Sequence, residues 1–262
     1  MNKSKSYQRT RLESMAHHKI NINKAILFVA TVVFFCVFSS GSYAQRVTPM
    51  VFELDPIGSG SSKSLRIENT KEQSLTVEFV ATKISLDEFG NESRTPADND
   101  FLIYPPQALI PGGKTQIVKV RYIGDPTILE SNAYRVSVNQ LPVQVERGFQ
   151  GVGVVVNFNT LVNVSPIDST AQLSVIDIAK GADDQWDILI ENKGNRFSRL
   201  SKTVWQVTST VDTSNTKLIK KSEVADMTDK NLVIPNSTLR LSIPSIEGFE
   251  PSTTKISIST DI

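Results

Sequence analysis

The sequence predicts an all-β protein, with two immunoglobulin-like β-sandwich domains in tandem behind an N-terminal leader. Three observations carry that prediction. Apolar residues recur at every second position in one short stretch after another, the period of a strand with one buried face. Gly, Pro, Asn and Asp clusters separate these stretches at intervals of roughly 10 to 15 residues, the rhythm of a sandwich. No stretch beyond residue 44 sustains helical spacing over three turns. A different β-sandwich or a barrel would satisfy the same pattern.

Residues 1–44 read as a secretory signal. Basic residues (Lys3, Lys5, Arg9, Arg11, Lys19, Lys24) precede an unbroken apolar run, Ala25 to Phe38, and then SSGSYA with Ser42 and Ala44 flanking a cleavage site before Gln45. The run falls short of the roughly 20 residues that span a bilayer; an uncleaved anchor is the alternative, and Met15 is a second candidate start. Cys36 follows Val33, Phe34 and Phe35, not the small residues of a lipoprotein signal. Cleavage removes the only Cys and both His, His17 and His18. A chain from Gln45 then has no thiol and no imidazole, which excludes Cys nucleophiles, His-based triads and His or Cys metal sites. It is also an exported chain without disulfides, held by its cores alone. The leader takes six of the 28 basic and one of the 27 acidic residues, leaving a net charge of −4. No basic patch interleaved with aromatics suggests nucleic acid.

In chain order, Val47 to Leu54 is the first strand, with Pro49 marking an edge or bulge. Ser64 to Glu68 follows the loop Gly58 to Ser62. Leu75, Val77, Phe79 and Ala81 then alternate with Thr76, Glu78 and Val80, and Asp87 to Asn91 makes a loop or hairpin tip. The prolines and glycines of YPPQALIPGGK rule out a central strand before the pattern resumes at Ile117 to Tyr122. Next come Tyr134, Val136 and Val138, then an unusually Val-rich run with Val152, Val154, Val156 and Phe158 on one face. Pro166 marks the linker, giving domains at 45–165 and 166–262. Strands around Leu173, Trp186 to Ile190, Val204 to Val211, Leu239 to Ile243 and Ile256 to Ile258 build the second domain, with Trp186 and Trp205 in its core. Ile-Glu-Asn before a turn and a later Ile-Pro occur in both halves (Ile67-Glu68-Asn69 with Ile110-Pro111; Ile190-Glu191-Asn192 with Ile234-Pro235), a hint of two related folds.

The phrase ESNAYRVSVNQLP resembles the signature of the periplasmic pilus (fimbrial) assembly chaperones, the PapD-like family of chaperone–usher pathways, through Glu130, Ser131, Tyr134, Val136, Val138, Leu141 and Pro142. The upstream Pro-Pro segment and Pro-Gly turn of YPPQALIPGGKTQIVKV are similar to that family too, and lean toward its archaic branch. The resemblance implies a chaperone that works without cofactor, metal or small-molecule substrate. Its partners would be pilus subunits and an outer-membrane usher, and its place the periplasm. Pilus subunits lack a last strand, so an open apolar groove flanked by unpaired edges invites aggregation. The chaperone lends its own last strand of domain one. Counted back from Pro166, the donor residues fall on Val152, Val154 and Val156, with Phe158 next in the row. The family normally anchors the subunit's terminal carboxylate with an Arg and a Lys, and the corresponding positions here are Met50 and Leu161. Arg121 and Arg135, with Arg66 behind them, are the substitute candidates.

Two other function classes fit the sequence less well. A surface-exposed structural or adhesive Ig-like protein of a pilus system would be expected to carry an apolar N-terminal extension, which the short interval between Ala44 and Val47 does not leave. An enzyme would need paired carboxylates or a Ser/Lys dyad; Asp183-Asp184 and Asp98 with Asp100 lie in polar loops where such residues serve turns. The prediction is therefore a binding protein and not an enzyme.

Overall fold

A computed structural model describes residues 45–141 and 155–260. The predicted leader with its cleavage site, Pro142, Val152 and Val154 lie outside the described residues. In chain order the strands are β1 (Arg46–Thr48), β2 (Val51–Leu54), β3 (Ser62–Glu68), β4 (Leu75–Leu86), β5 (Glu92–Pro96), β6 (Phe101–Tyr104), β7 (Gln107–Ile110), β8 (Thr115–Tyr122) and β9 (Asn132–Gln140). Then come β10 (Phe158–Val164), β11 (Leu173–Lys180), β12 (Gln185–Asn192), β13 (Ser198–Arg199), β14 (Val204–Ser209), β15 (Thr216–Ile219), β16 (Leu232–Val233), β17 (Ser237–Pro244) and β18 (Thr254–Ser259). Only one α-helix, α1 (Lys221–Met227), occurs among the described residues. It is two turns long, which is why no helical period is readable over three.

The first sandwich faces a sheet ordered β1-β3-β8-β6 against one ordered β2-β10-β9-β4-β5, with β7 paired to β4. Its core takes the alternating residues of both sheets, among them Leu65, Ile67, Val77, Phe79, Val118, Val120, Tyr134, Val136 and Val162. The second core gathers Trp186, Ile188, Ile190, Trp205, Val207, Leu239, Leu241 and Ile243 from β12, β14 and β17, so both tryptophans are buried as the alternation predicts.

Two elements differ from the sequence reading. Val47 to Leu54 is two strands, not one: β1 pairs β3 in one sheet and β2 pairs β10 in the other. The chain crosses between sheets at Thr48-Pro49, whose peptide is cis. Proline has no N–H for a ladder, so the break falls where pairing must lapse in any case. In β4 the buried face changes side. Leu75, Val77, Phe79 and Ala81 enter the first core, but past Thr82 the buried residue is Ile84, on the other face. Ile84 joins Ala133 and Leu161 in a small third cluster, against which Leu232 and Ile234 of the second half pack.

The repeated Ile-Glu-Asn phrase has a shared structural cause. Asn69 donates its side-chain N–H groups to the Gln73 and Ile110 carbonyls, at 2.7 and 3.0 Å, and its Oδ1 accepts the Lys71 N–H at 3.2 Å. Asn192 donates to the Arg196 and Ile234 carbonyls, at 2.8 and 3.2 Å, and accepts the Gly194 N–H at 3.0 Å. Both are buried. Each closes a turn onto the Ile-Pro carbonyl of a distant strand end, the same clasp in both sandwiches. At the first of them Gly112 is required by proximity: a Cβ there would sit 2.0 Å from the Glu72 carbonyl oxygen.

Replacing either Asn by Ala strands buried carbonyls and an N–H. The Asn69 side chain makes three hydrogen bonds and that of Asn192 five, the Gln172 N–H and the Val233 carbonyl included; at about 1 kcal/mol each, Asn69→Ala should lower stability in urea titrations by about 2–3 kcal/mol and Asn192→Ala by at least as much. The effects should be additive, because the two sites share no partner.

Candidate subunit-binding edge

β10 is paired on both sides for only part of its length. On one side it runs antiparallel to β9 from Phe158↔Val138 to Val164↔Asn132. On the other, β2 pairs it in parallel only from Leu161↔Val51 to Val164↔Leu54. The Leu161 N–H donates to the Met50 carbonyl at 2.9 Å, which fixes the side that residue's backbone faces. By strand alternation the Asn159 N–H and C=O point the same way, and no strand meets them among the described residues. Phe158 to Thr160 is therefore an open strand edge beside a completed core. Such an edge is a template for another chain.

The side chains sort by parity. Thr160, Val162 and Val164 are buried in the first sandwich, and half-buried Phe158 packs on its core. Asn159, Leu161 and Asn163 take the opposite face. Just upstream, Val156 is half-buried and Val155 is 54% exposed. Gln140 at the end of β9 ties this segment down. Its N–H donates to Asn157 Oδ1 at 3.2 Å and its Oε1 accepts the Val156 N–H at 3.4 Å.

The outward face beside the open edge is polar and connected. Asn159 Oδ1 accepts from Ser137 Oγ at 2.7 Å and from Arg94 Nη1 at 3.3 Å. Arg94 and Arg135 both hold Glu92, at 2.6 and 2.7 Å. Burial disfavours the Glu92 carboxylate, but the hydrogen bonds and charges of Arg135 and Arg94 outweigh it and hold its pKa below the ordinary value.

The three candidate anchors are not brought together. Arg135 lies directly across from Leu161 in the β9–β10 register. Arg66 and Arg121 are on β3 and β8, in the other sheet, exposed on its outer side. A cavity of about 300 Å³ lies at Leu161, with Val51 and Leu232 as further apolar lining and Arg135, Arg199 and Lys230 as cations. A neighbouring cleft of about 650 Å³ shares Arg199 and adds Lys202 and Asn163. The Asn163 side chain is buried without a partner among the described residues. Arg199 has no side-chain partner among the described residues, whereas Arg135 is committed to Glu92. Sequence reasoning missed Arg199 because it comes from β13, in the second half; only the packing of that half against β10 places it here.

The resemblance-bearing residues Glu130 and Ser131 join the two halves. Ser131 Oγ accepts the Phe197 N–H at 2.6 Å, its N–H donates to the Asn195 carbonyl at 2.9 Å, and Glu130 Oε2 accepts from Asn236 at 2.7 Å. Arg196 pairs with Glu53 alongside. Tyr134 is fully buried, with rings of Phe101 and Tyr122 at 4.9 and 6.3 Å, and its hydroxyl donates to Asp100 at 3.1 Å. Burial first, then the Tyr122 and Asp100 charges, push its phenol pKa far above the usual value. The Leu141 N–H donates to the Thr76 carbonyl at 2.9 Å.

No family model matches the sequence, and no curated protein does. Solved structures do match. The class 5 fimbriae chaperone CfaA superposes with a TM-score of 0.54 at 15% identity, covering 84% of this chain and 100% of that one. The chain has the fold of the fimbrial chaperones. A chain of the Salmonella enterica SafA pilin–SafB chaperone complex gives 0.51 at 14% identity, covering 79% of this chain and 86% of that one. The E. coli chaperone DraB gives 0.50 at 13%, covering 83% and 96%. At such identities the likeness to these chaperones is one of fold.

The Glu92 site predicts a pH signature. A carboxylate with a depressed folded pKa contributes stability above its unfolded value, and the contribution is lost as pH falls through the folded one. The melting temperature should therefore drop as pH falls below about 4.5, and Glu92→Gln should flatten that drop in melts at stepped pH.

Proposed function

We propose that this protein is a periplasmic chaperone that binds, stabilises and delivers pilus subunits by lending the open edge of β10 to a subunit that lacks a strand. The observation that carries this reading is the one-sided pairing of Phe158 to Thr160. A subunit strand added along that edge gains backbone hydrogen bonds from it. Val152, Val154 and Val156, continuing the parity of Phe158, would enter alternate pockets of the subunit groove. Each fully buried Val contributes roughly 1.5–3 kcal/mol. The fold shared with CfaA and DraB supports the same reading.

The edge also has a stop. From Leu161 onward β2 occupies it, so an added strand ends beside Met50, at the cavity of Leu161. We assign the role of receiving the subunit's terminal carboxylate to Arg199, which is uncommitted, with Arg135 behind it. Arg66 and Arg121, on the other sheet, are set aside for this role. The same reading takes residues 45–165 as the binding domain and 166–262 as the second domain, consistent with cores drawn from 47–164 and 186–256. It takes residues 1–44 as the export signal and an outer-membrane usher as the acceptor of the loaded complex.

Co-expression with the pilus subunit and purification from the periplasm test it. Val154→Asp and Val156→Asp should each reduce the recovered complex at least tenfold while the free protein keeps its circular dichroism spectrum. Recovery at the wild-type level with both variants would rule the strand-lending mechanism out.

A further inference from the structure

The outer face of the β1-β3-β8-β6 sheet is a second feature that strand lending does not use. Register places its side chains. Arg46 and Thr48 on β1 lie across from Glu68 and Arg66 on β3. Ser62, Ser64 and Arg66 lie across from Arg121, Lys119 and Ile117 on β8. Leu102 and Tyr104 on β6 lie across from Arg121 and Lys119. Four cations and one carboxylate share this face, and that carboxylate, Glu68, is already held by Arg66 at 2.7 Å. Lys119 and Arg121 have no partner among the described residues. Leu102 is 54% exposed, Tyr104 71% and Ile117 48%, so three large apolar side chains stand among the cations. Residues 45–262 as a whole carry a net charge of −4, which makes a positive face a segregated feature rather than a sample of the surface.

We propose that this face is a docking surface for an acidic, extended segment of a partner protein. Its charge selects an acidic occupant and gives the pairing its specificity. A second copy of the chain is a poor occupant, because a two-fold contact would set the same cations against each other. Size points to a segment rather than a folded domain. Three inter-strand steps of about 4.8 Å and six residues of about 3.3 Å make a face of roughly 14 by 20 Å. That is about a third of the roughly 800 Å² per partner that a stable interface buries. The apolar groups fit alternate side chains of such a segment, with its carboxylates reaching Lys119 and Arg121. The face belongs to the sheet opposite β10, so docking there leaves the open edge accessible.

The test uses the purified protein and two synthetic peptides, three repeats of Asp-Tyr-Glu-Val and the same peptide with Asn and Gln in place of the acids. The acidic peptide should bind, with the neutral one at least tenfold weaker by fluorescence anisotropy. Lys119→Glu combined with Arg121→Glu should weaken the acidic peptide at least tenfold, and the milder Lys119→Ala several-fold. Lys255→Glu, on β18, should leave binding unchanged. Equal binding of the two peptides would overturn the proposal, as would an equal loss with Lys255→Glu. Binding to vesicles with one-third anionic lipid, in place of the acidic peptide, would reassign the face to a membrane surface and overturn it too.

Discussion

The arrangement depends on one constraint: β10 is a central strand for part of its length and an edge strand for the rest. Backbone N–H and C=O groups need partners. From Leu161 to Val164 they have them on both sides; at Asn159 the side away from β9 is open. A protein normally shields such an edge with charge, proline or a covering loop. Here the core beneath is complete, with Thr160, Val162 and Val164 all buried. The opening therefore costs the first sandwich little packing and leaves backbone groups that a second chain can use.

The parity of β10 gives it two further jobs. One row of side chains fills the first core. The other, through Leu161, meets Ile84 and Ala133 and the second half's Leu232 and Ile234. The family resemblance leads one to expect a lysine at Leu161. The structure has an apolar contact there, and places cations around it on other elements, Arg135 from β9 and Arg199 from β13. Charge near this point is supplied by neighbouring elements, not by β10 itself. The Glu130-Ser131 latch and the Arg196–Glu53 pair hold the two halves that bring Arg199 to it.

Much of the fold was legible because burial in a strand follows a period of two. Val77, Phe79 and Ala81, Val136 and Val138, and Ile188 and Ile190 are buried where alternation places them. The Asn69 and Asn192 clasps were visible as a repeated phrase, though not their hydrogen bonds. Contacts that depend on more than one strand were not legible. The crossing of the first strand at Thr48-Pro49 reads locally as a bulge. The change of buried face in β4 requires knowing that the second half covers Ile84. The strand β5 has only exposed or half-buried residues, ESRTP, and shows no apolar period to detect. Arg199 sits in a two-residue strand with no motif around it. The Val-rich run is legible by composition, while the open edge at Phe158 to Thr160 is a property of the sheet.

Amide hydrogen exchange with and without a pilus subunit tests the central claim most directly. The Asn159 N–H faces the open edge and should gain strong protection in the complex. Those of Phe158 and Thr160, turned toward β9, should change little. An Asn159 amide that exchanges as fast in the complex as in the free protein would contradict strand addition at β10.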